Sequence, residues 1–270
     1  MAKKKDPSVT FLNKFGYNVV RLPRVGIEPM DIIGKDDTTQ WLGPLASVWH
    51  STIPVPTPSA PHPAAAVNGQ KTDNLDLSIG LKVLANALAA FGATMPSLDV
   101  AFHRARSVQF SYSNVTSTVV APLDAGNFLA SGDLNTNNPV VQHYFLGDEA
   151  EAYLIVDVLK SDSITVNATD SSGVEVGVDV PAISATVGAK VGVKSNNASN
   201  SSITFKGAVP VTFGFIVDEI HFDGTKWQLT GSAPSGLTAL GVSAGGGAGA
   251  APAMAPQPIM LGTACRVNLR

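Results

Sequence analysis

The sequence predicts an α+β fold in which a mostly antiparallel sheet carries several short helices at its periphery. Apolar residues alternate over residues 107–120 and through most of 164–230, the period of half-buried strands. Pro122–Ala130 and Pro139–Leu146 each set a proline in the first turn of a short apolar segment, where its missing N–H costs nothing and its fixed φ suits a helix. Asp223-Gly224 supplies a hairpin signal between two strand patterns.

Taken in order, the first element is a short helix that Asp6 can cap, with Pro7 in its first turn and Gly16 at its left-handed end; Val9, Phe11, Leu12 and Phe15 form its apolar face. Residues 17–22 read as a strand stopped by Pro23. Residues 53–63 are Pro-rich and extended, either a mobile surface segment or an ordered linker. Residues 75–91 alternate like a strand at first and then repeat like a helix at Leu81, Leu84, Leu88 and Phe91, with the change placed near Gly80. Residues 153–159 are a continuous apolar run, a buried strand. From 164 to 230 the pattern is β throughout, with polar residues 195–202 as a turn, strands at 203–205 and 209–222, and a hairpin into 225–230.

Composition narrows the function classes. The chain has 270 residues, 44% hydrophobic and 14% charged, with a formal net charge of −3. Roughly 70% of the surface of a chain this long can be buried on folding. A low charged fraction argues against a solvating or coiled-coil chain, and the slight acidity argues against nucleic acid as a partner. One cysteine can form neither an internal disulfide nor a Cys-based metal site alone, which fits a reducing compartment. The basic start, Lys3-Lys4-Lys5, leads into a polar turn instead of an apolar signal region, and no run of about 18 apolar residues exists, so a cytoplasmic product is expected.

No pattern demands enzymatic chemistry. His50, His62, His103, His143 and His221 lack metal-ligand spacing, so no metal or other cofactor is expected. The acidic pairs Asp36-Asp37, Asp148-Glu149 and Asp218-Glu219 are adjacent in sequence, which does not set two carboxylates across a cleft. Gly245-Gly246-Gly247 is followed by Ala and Pro, with no phosphate-binding Lys.

Two features are physical instead. Val174, Val176, Val178 and Val180 alternate with Glu175, Gly177 and Asp179; beyond Pro181, Val187, Ala189, Val191 and Val193 alternate with Gly188, Lys190, Gly192 and Lys194. The pattern suits an ordinary half-exposed sheet, and it equally suits a membrane hairpin, where about 9–11 tilted residues span the bilayer with one apolar face. The second feature is the end of the chain. No charged residue lies between Lys226 and Arg266, residues 231–258 read as a flexible Gly/Ala/Pro linker, and residues 259–270 recover hydrophobicity as a tail able to dock back.

The run Phe15-Gly16-Tyr17-Asn18-Val19-Val20-Arg21-Leu22-Pro23-Arg24-Val25-Gly26-Ile27-Glu28-Pro29, with Asp31-Ile32-Ile33-Gly34 after it, resembles the N-terminal region of bacterial gasdermins. So do Pro96-Ser97-Leu98-Asp99-Val100-Ala101-Phe102, Arg106-Ser107-Val108-Gln109-Phe110-Ser111-Tyr112 and Ala152-Tyr153-Leu154-Ile155-Val156-Asp157-Val158-Leu159-Lys160-Ser161. The resemblance covers about residues 6–230. It implies a central twisted sheet and a non-enzymatic, autoinhibited pore-former of anti-phage defence, cytoplasmic until a caspase-like protease removes the tail. Freed protomers would then assemble with membrane lipids into a large homo-oligomeric β-barrel in the inner membrane and kill the cell.

On that resemblance residues 1–230 are the pore-forming domain, 231–258 the linker with the cleavage region and 259–270 the autoinhibitory peptide. Ile259, Met260, Leu261, Val267 and Leu269 would hold the tail down, and the cut is expected between Gly231 and Met254, with Leu237 and Leu240 as candidate P1 residues. Val174, Val176, Val178, Val180, Val187, Val191 and Val193 are the membrane-hairpin candidates. Members of the family commonly carry a palmitoylated Cys near the N-terminus; this chain has Ala2 and Lys3, Lys4 and Lys5 there, which would touch anionic headgroups at about 1 kcal/mol each. Cys265 would leave with the tail. The reading from another class is a soluble β-rich binding or structural protein whose tail docks a partner; a third is a hydrolase with a site that leaves no motif.

Overall fold

A computed structural model describes residues 11–93, 98–147, 149–230 and 238–239. Its strands in chain order are β1 (Asn18–Arg24), β2 (Asp31–Lys35), β3 (Thr39–Pro44), β4 (Trp49–Ser51), β5 (His62–Pro63), β6 (Leu75–Asp76), β7 (Ser107–Ser113), β8 (Thr116–Val119), β9 (Gly132–Leu134), β10 (Glu151–Thr169), β11 (Gly192–Ser195), β12 (Ser202–Phe222), β13 (Trp227–Thr230) and β14 (Thr238–Ala239). The helices are α1 (Leu77–Ala90), α2 (Pro122–Ala130), α3 (Pro139–Leu146) and α4 (Val180–Val187). The α+β class expected from the pattern is the class observed. Two compact units divide the chain, and β10 and β12 are long enough to give one part to each.

The first unit, residues 1–27, 61–117 and 159–214, is built on antiparallel ladders. Its part of β10 pairs with β7 from Ser163↔Ser113 to Thr169↔Ser107, and β11 pairs with β12 from Gly192↔Lys206 to Ser195↔Ile203. Phe102, Phe110 and Phe205 are fully buried in a core that also takes Leu84 and Leu88 of α1 and Ile183 and Val187 of α4. Tyr112 stacks on Phe213 at 3.9 Å between centroids, and Thr212 Oγ1 donates to the Ile27 carbonyl at 3.1 Å. The second unit, residues 28–60, 118–158 and 215–270, holds the β2–β3 hairpin, the start of β10 paired to β2, and the β12–β13 hairpin.

Several elements stand where the pattern put them. α2 and α3 have the predicted bounds, each with Pro in the first turn, and Asn138 caps α3 by accepting from Val140 N at 2.9 Å. Gly16 has φ +81, the left-handed helix end expected of it. The Pro-rich stretch is an ordered linker at Ser59, whose N–H donates to the Val119 carbonyl at 2.7 Å while its Oγ accepts from Val119 N.

Other expectations are corrected. β1 runs through Pro23 to Arg24, since proline fits an extended φ and lacks only the donor. Helix α1 begins at Leu77, ahead of Gly80, because the Asp76 side chain accepts from Ser78 N and starts the helix there. The strand expected over 107–120 breaks at Asn114, at φ +55, into β7 and β8. The two strands expected at 203–205 and 209–222 are one, β12.

The largest correction concerns residues 174–193. Val174, Val176 and Val178 lie in chain without a strand ladder, and Val180–Val187 is helix α4 instead of strand. Asp179 caps it, its Oδ1 accepting from Ala182 N at 3.0 Å, with Pro181 in the first turn and Gly188 at φ +79 ending it. A valine every second residue carries the strand period, but Asp-Val-Pro is a helix start, and burial of Ile183 and Val187 decides between them.

That correction has a measurable consequence. Ile183→Ala is expected to cost about 2–5 kcal/mol, as for a large buried aliphatic, whereas Val174→Ala, at a site 60% exposed, is expected to stay within about 0.5 kcal/mol. Urea unfolding followed by circular dichroism measures both; equal effects would contradict the helical packing.

Candidate functional site

The segment that joins β10 to β12 is held by a small set of bonds. Asp170 Oδ1 accepts from Ser172 N, Ser172 Oγ and Val174 N at 2.7–3.0 Å, turning the chain out of β10. Thr169 and Glu175 then form an isolated antiparallel bridge, and Val176 N donates to Ala168 O at 3.0 Å. Val178 N donates to Asn200 O and Asp179 N to Ala101 O, at 3.0 and 3.1 Å. Glu175 accepts from Ser201 Oγ at 2.6 Å, and Ser201 N donates to Asn197 Oδ1, so the polar turn 195–202 is tied to the same segment.

The hairpin-candidate valines divide by depth. Val178, Val187 and Val191 are buried, Val176, Val180 and Val193 pack partly buried on the core, and Val174 is exposed. Their charged alternates Glu175, Asp179, Lys190 and Lys194 all face solvent. The other sequence candidates, Lys3, Lys4, Lys5, Leu237, Leu240, Ile259, Met260, Leu261, Val267 and Leu269, lie outside the described residues.

A second cluster gathers on the second unit. Lys35 Nζ lies 2.5 Å from Glu151 Oε2 across the β2–β10 register, and Tyr153 OH donates to the same oxygen at 2.6 Å. Burial raises the Glu151 carboxyl, but the Lys35 and Tyr153 bonds outweigh it and leave it below its ordinary value. Burial and the neighbouring Glu151 hold the Tyr153 phenol well above its ordinary range. Burial, then Glu151, also push Glu219 up, with His221 and Lys35 opposing. The group resembles a catalytic constellation in composition only: the lysine and the phenol are both spent on one carboxylate, which binds strands together.

A third set pins α3 to the β2–β3 turn. Asp36 accepts from Thr38 N at 2.7 Å and Tyr144 OH at 2.8 Å, with His143 Nε2 at 3.3 Å. The Thr38 amide and then Tyr144 keep that carboxyl far below the carboxylate range. Gln40 Nε2 donates to Tyr144 OH.

Sequence reasoning missed two features. The Asp179 cap bore the same cap-then-proline signal as Asn138-Pro139, which was legible. Trp227 sits among Phe222, Phe145 and Trp49, with centroids 5.2, 5.9 and 6.1 Å away, and the hairpin signal at Asp223-Gly224 already implied the Phe222↔Trp227 pair. Among the described residues no group of three or more His, Cys, Asp or Glu side chains is arranged to hold a metal ion. Among them, too, no helix is long and apolar enough to cross a membrane, a test that does not bear on strands.

Comparison with known proteins points one way. A sequence model described as the Bacterial Gasdermin Family matches residues 20–228. The chain is similar to the gasdermin bGSDM of a Vitiosangium species, 40% identical over 246 residues that cover 90% of this chain and 91% of that one. It is also similar to the gasdermin bGSDM of Lysobacter enzymogenes, 34% identical over 230 residues and 83% of each chain. Among solved structures, a bacterial gasdermin from Bradyrhizobium tropiciagri shares the fold at a TM-score of 0.61 and 19% identity, covering 84% of this chain and 91% of that one.

The raised Glu219 carboxyl predicts a pH effect of known sign. A carboxyl titrating higher in the folded state contributes stability that is present below its unfolded value and lost as pH rises through the folded one. Glu219→Gln is therefore expected to match the parent near pH 4 and to be the more stable of the two near pH 7, read as the urea midpoint at each pH. An advantage that grows toward acid would reverse the assignment.

Proposed function

This chain belongs to the bacterial gasdermin family, a family of pore-forming, non-enzymatic proteins, and from that premise we propose that it is a pore-former held closed by its own C-terminal peptide. The observation that carries the reading is the segment 174–194. It has the alternation of a membrane strand pair, yet it is folded as coil, helix α4 and the short strand β11 under a few local bonds.

Opening requires that something favour the closed form and then be removed, since only differential binding shifts a conformational equilibrium. Ile259, Met260, Leu261, Val267 and Leu269 supply it: burial of side chains of this size is worth about 1.5–3 kcal/mol each before ordering costs. A cut in the linker by a caspase-like protease, between Gly231 and Met254 with Leu237 or Leu240 at P1, lowers the tail's effective concentration and lets it leave. The described β14 lies between those two leucines.

The freed protein moves from the cytoplasm to the inner membrane. Lys3, Lys4 and Lys5 meet anionic headgroups there, and strands extend into the bilayer. In hydrocarbon every backbone N–H and C=O must find a partner, so the strands can persist only in a closed barrel made with further copies of the chain. The large oligomeric pore that results dissipates the gradients of an infected cell, the endpoint of an anti-phage defence.

The test uses the full chain with a site for a sequence-specific protease placed in the Gly245–Gly249 region, added cleaved or intact to dye-loaded anionic liposomes. Dye release by the cleaved protein alone is expected. No release by cleaved protein of unchanged circular dichroism overturns the pore, and equal release by intact protein overturns autoinhibition.

A further inference from the structure

We propose that the proline-rich stretch 54–63 is an edge guard: its prolines delete the backbone donors that a second copy of this chain would need to add a strand there, and so keep the closed protein from self-association. The inference goes beyond the pore-forming reading and does not depend on it.

An open strand edge is a template for another chain, because half of its N–H and C=O groups point away from the sheet and have no partner. β5 is such an edge. Among the described residues it pairs only with β8, and Pro61, His62 and Pro63 are exposed. The register sets His62 opposite Ser117 and Pro63 opposite Thr116, and Ala64 N donates to the Val115 carbonyl at 2.9 Å. Hydrogen-bonded and non-hydrogen-bonded pairs alternate in an antiparallel ladder, so the N–H of His62 turns toward β8 as that of Ala64 does. The nitrogens of Pro61 and Pro63 face the other way, and neither carries a hydrogen.

The phase holds across an irregularity. Ser59 N donates to the Val119 carbonyl at 2.7 Å, and Val119 N donates to Ser59 Oγ at 3.1 Å. Ser59 is therefore opposite Val119, one residue out of step with His62 opposite Ser117, which leaves one extra residue at 60–61. The prolines change parity at the same place: they occupy 54, 56 and 58 before it, and 61 and 63 after it. Pro58, one residue before the inward N–H of Ser59, again turns its nitrogen outward.

The ladder explains why no proline holds an inward position, since a bond to β8 would be lost there. It does not call for proline at the outward positions, where any residue with an extended backbone serves. Further along the same edge Lys71, bridged to Ser111, is exposed, and a charged side chain is another means of blunting an edge.

The test uses the intact full chain. Pro61→Thr with Pro63→Thr restores two outward donors on polar residues, whereas His62→Val adds an apolar β-branched side chain and no donor. In sedimentation velocity over a concentration series, the double variant is expected to form larger species at about tenfold lower concentration than the parent, each restored ladder bond contributing a factor of several. His62→Val is expected to sediment as the parent does. Hydrogen exchange by mass spectrometry is expected to show residues 61–63 protected in the associated species. Three results overturn the guard: a double variant of unchanged circular dichroism that sediments as the parent at every concentration, association with residues 61–63 still exchanging freely, or equal association by His62→Val. If the double change alters the circular dichroism, Pro63→Thr alone carries the same test, with about a threefold change expected. None of these results touches dye release by the cleaved chain, so the pore-forming reading stands or falls separately.

Discussion

Burial of Ile183 and Val187 against the core of the first unit is the contact on which the fate of the whole 170–201 segment depends. It makes residues 180–187 a helix although their surroundings alternate like a strand, and it draws Val178 and Val191 inward on either side. Two aliphatic side chains of this size contribute about 1.5–3 kcal/mol each, and a capping Asp about 0.5–2 kcal/mol. Sums of that order are comparable with the net stability of a domain.

The frame around this contact is made by β10 and β12, of 19 and 21 residues. Strands of that length give the intervening chain fixed points of departure and return. The Asp170 turn, the Thr169–Glu175 bridge and the β11–β12 ladder then guide it without surrounding it. The second unit is stitched differently, by Lys35, Tyr153 and Glu151 between strands and by Asp36 beneath α3. The 174–194 segment, in contrast, carries a strand alternation that its folded form does not use.

Much of this was legible beforehand. Helices α2 and α3 announced themselves because a proline in the first turn is a local signal, satisfied by the backbone of a few adjacent residues. The hairpin at Asp223-Gly224 was legible for the same reason. A strand leading into α1 was legible as well, but its end at Asp76 and the break at Asn114 were not, since both depend on which neighbour offers backbone bonds: Leu75 and Asp76 pair with Val108 and Ser107, and Ser161 Oγ donates to the Ser113 carbonyl beside the break.

By itself the sequence determined the fold class, the alternating valines with their balanced charges, the uncharged stretch between Lys226 and Arg266 and the apolar character of residues 259–261, because period, charge and composition belong to the chain before it folds. Only the tertiary structure decided that residues 180–187 are helical and that Glu175 is bound to Ser201. The Asp179 cap and the valine period are both local and point to different structures. The choice between them is made by distant residues, the phenylalanines and leucines of the core that bury Ile183 and Val187, and no local pattern records how well that space is filled.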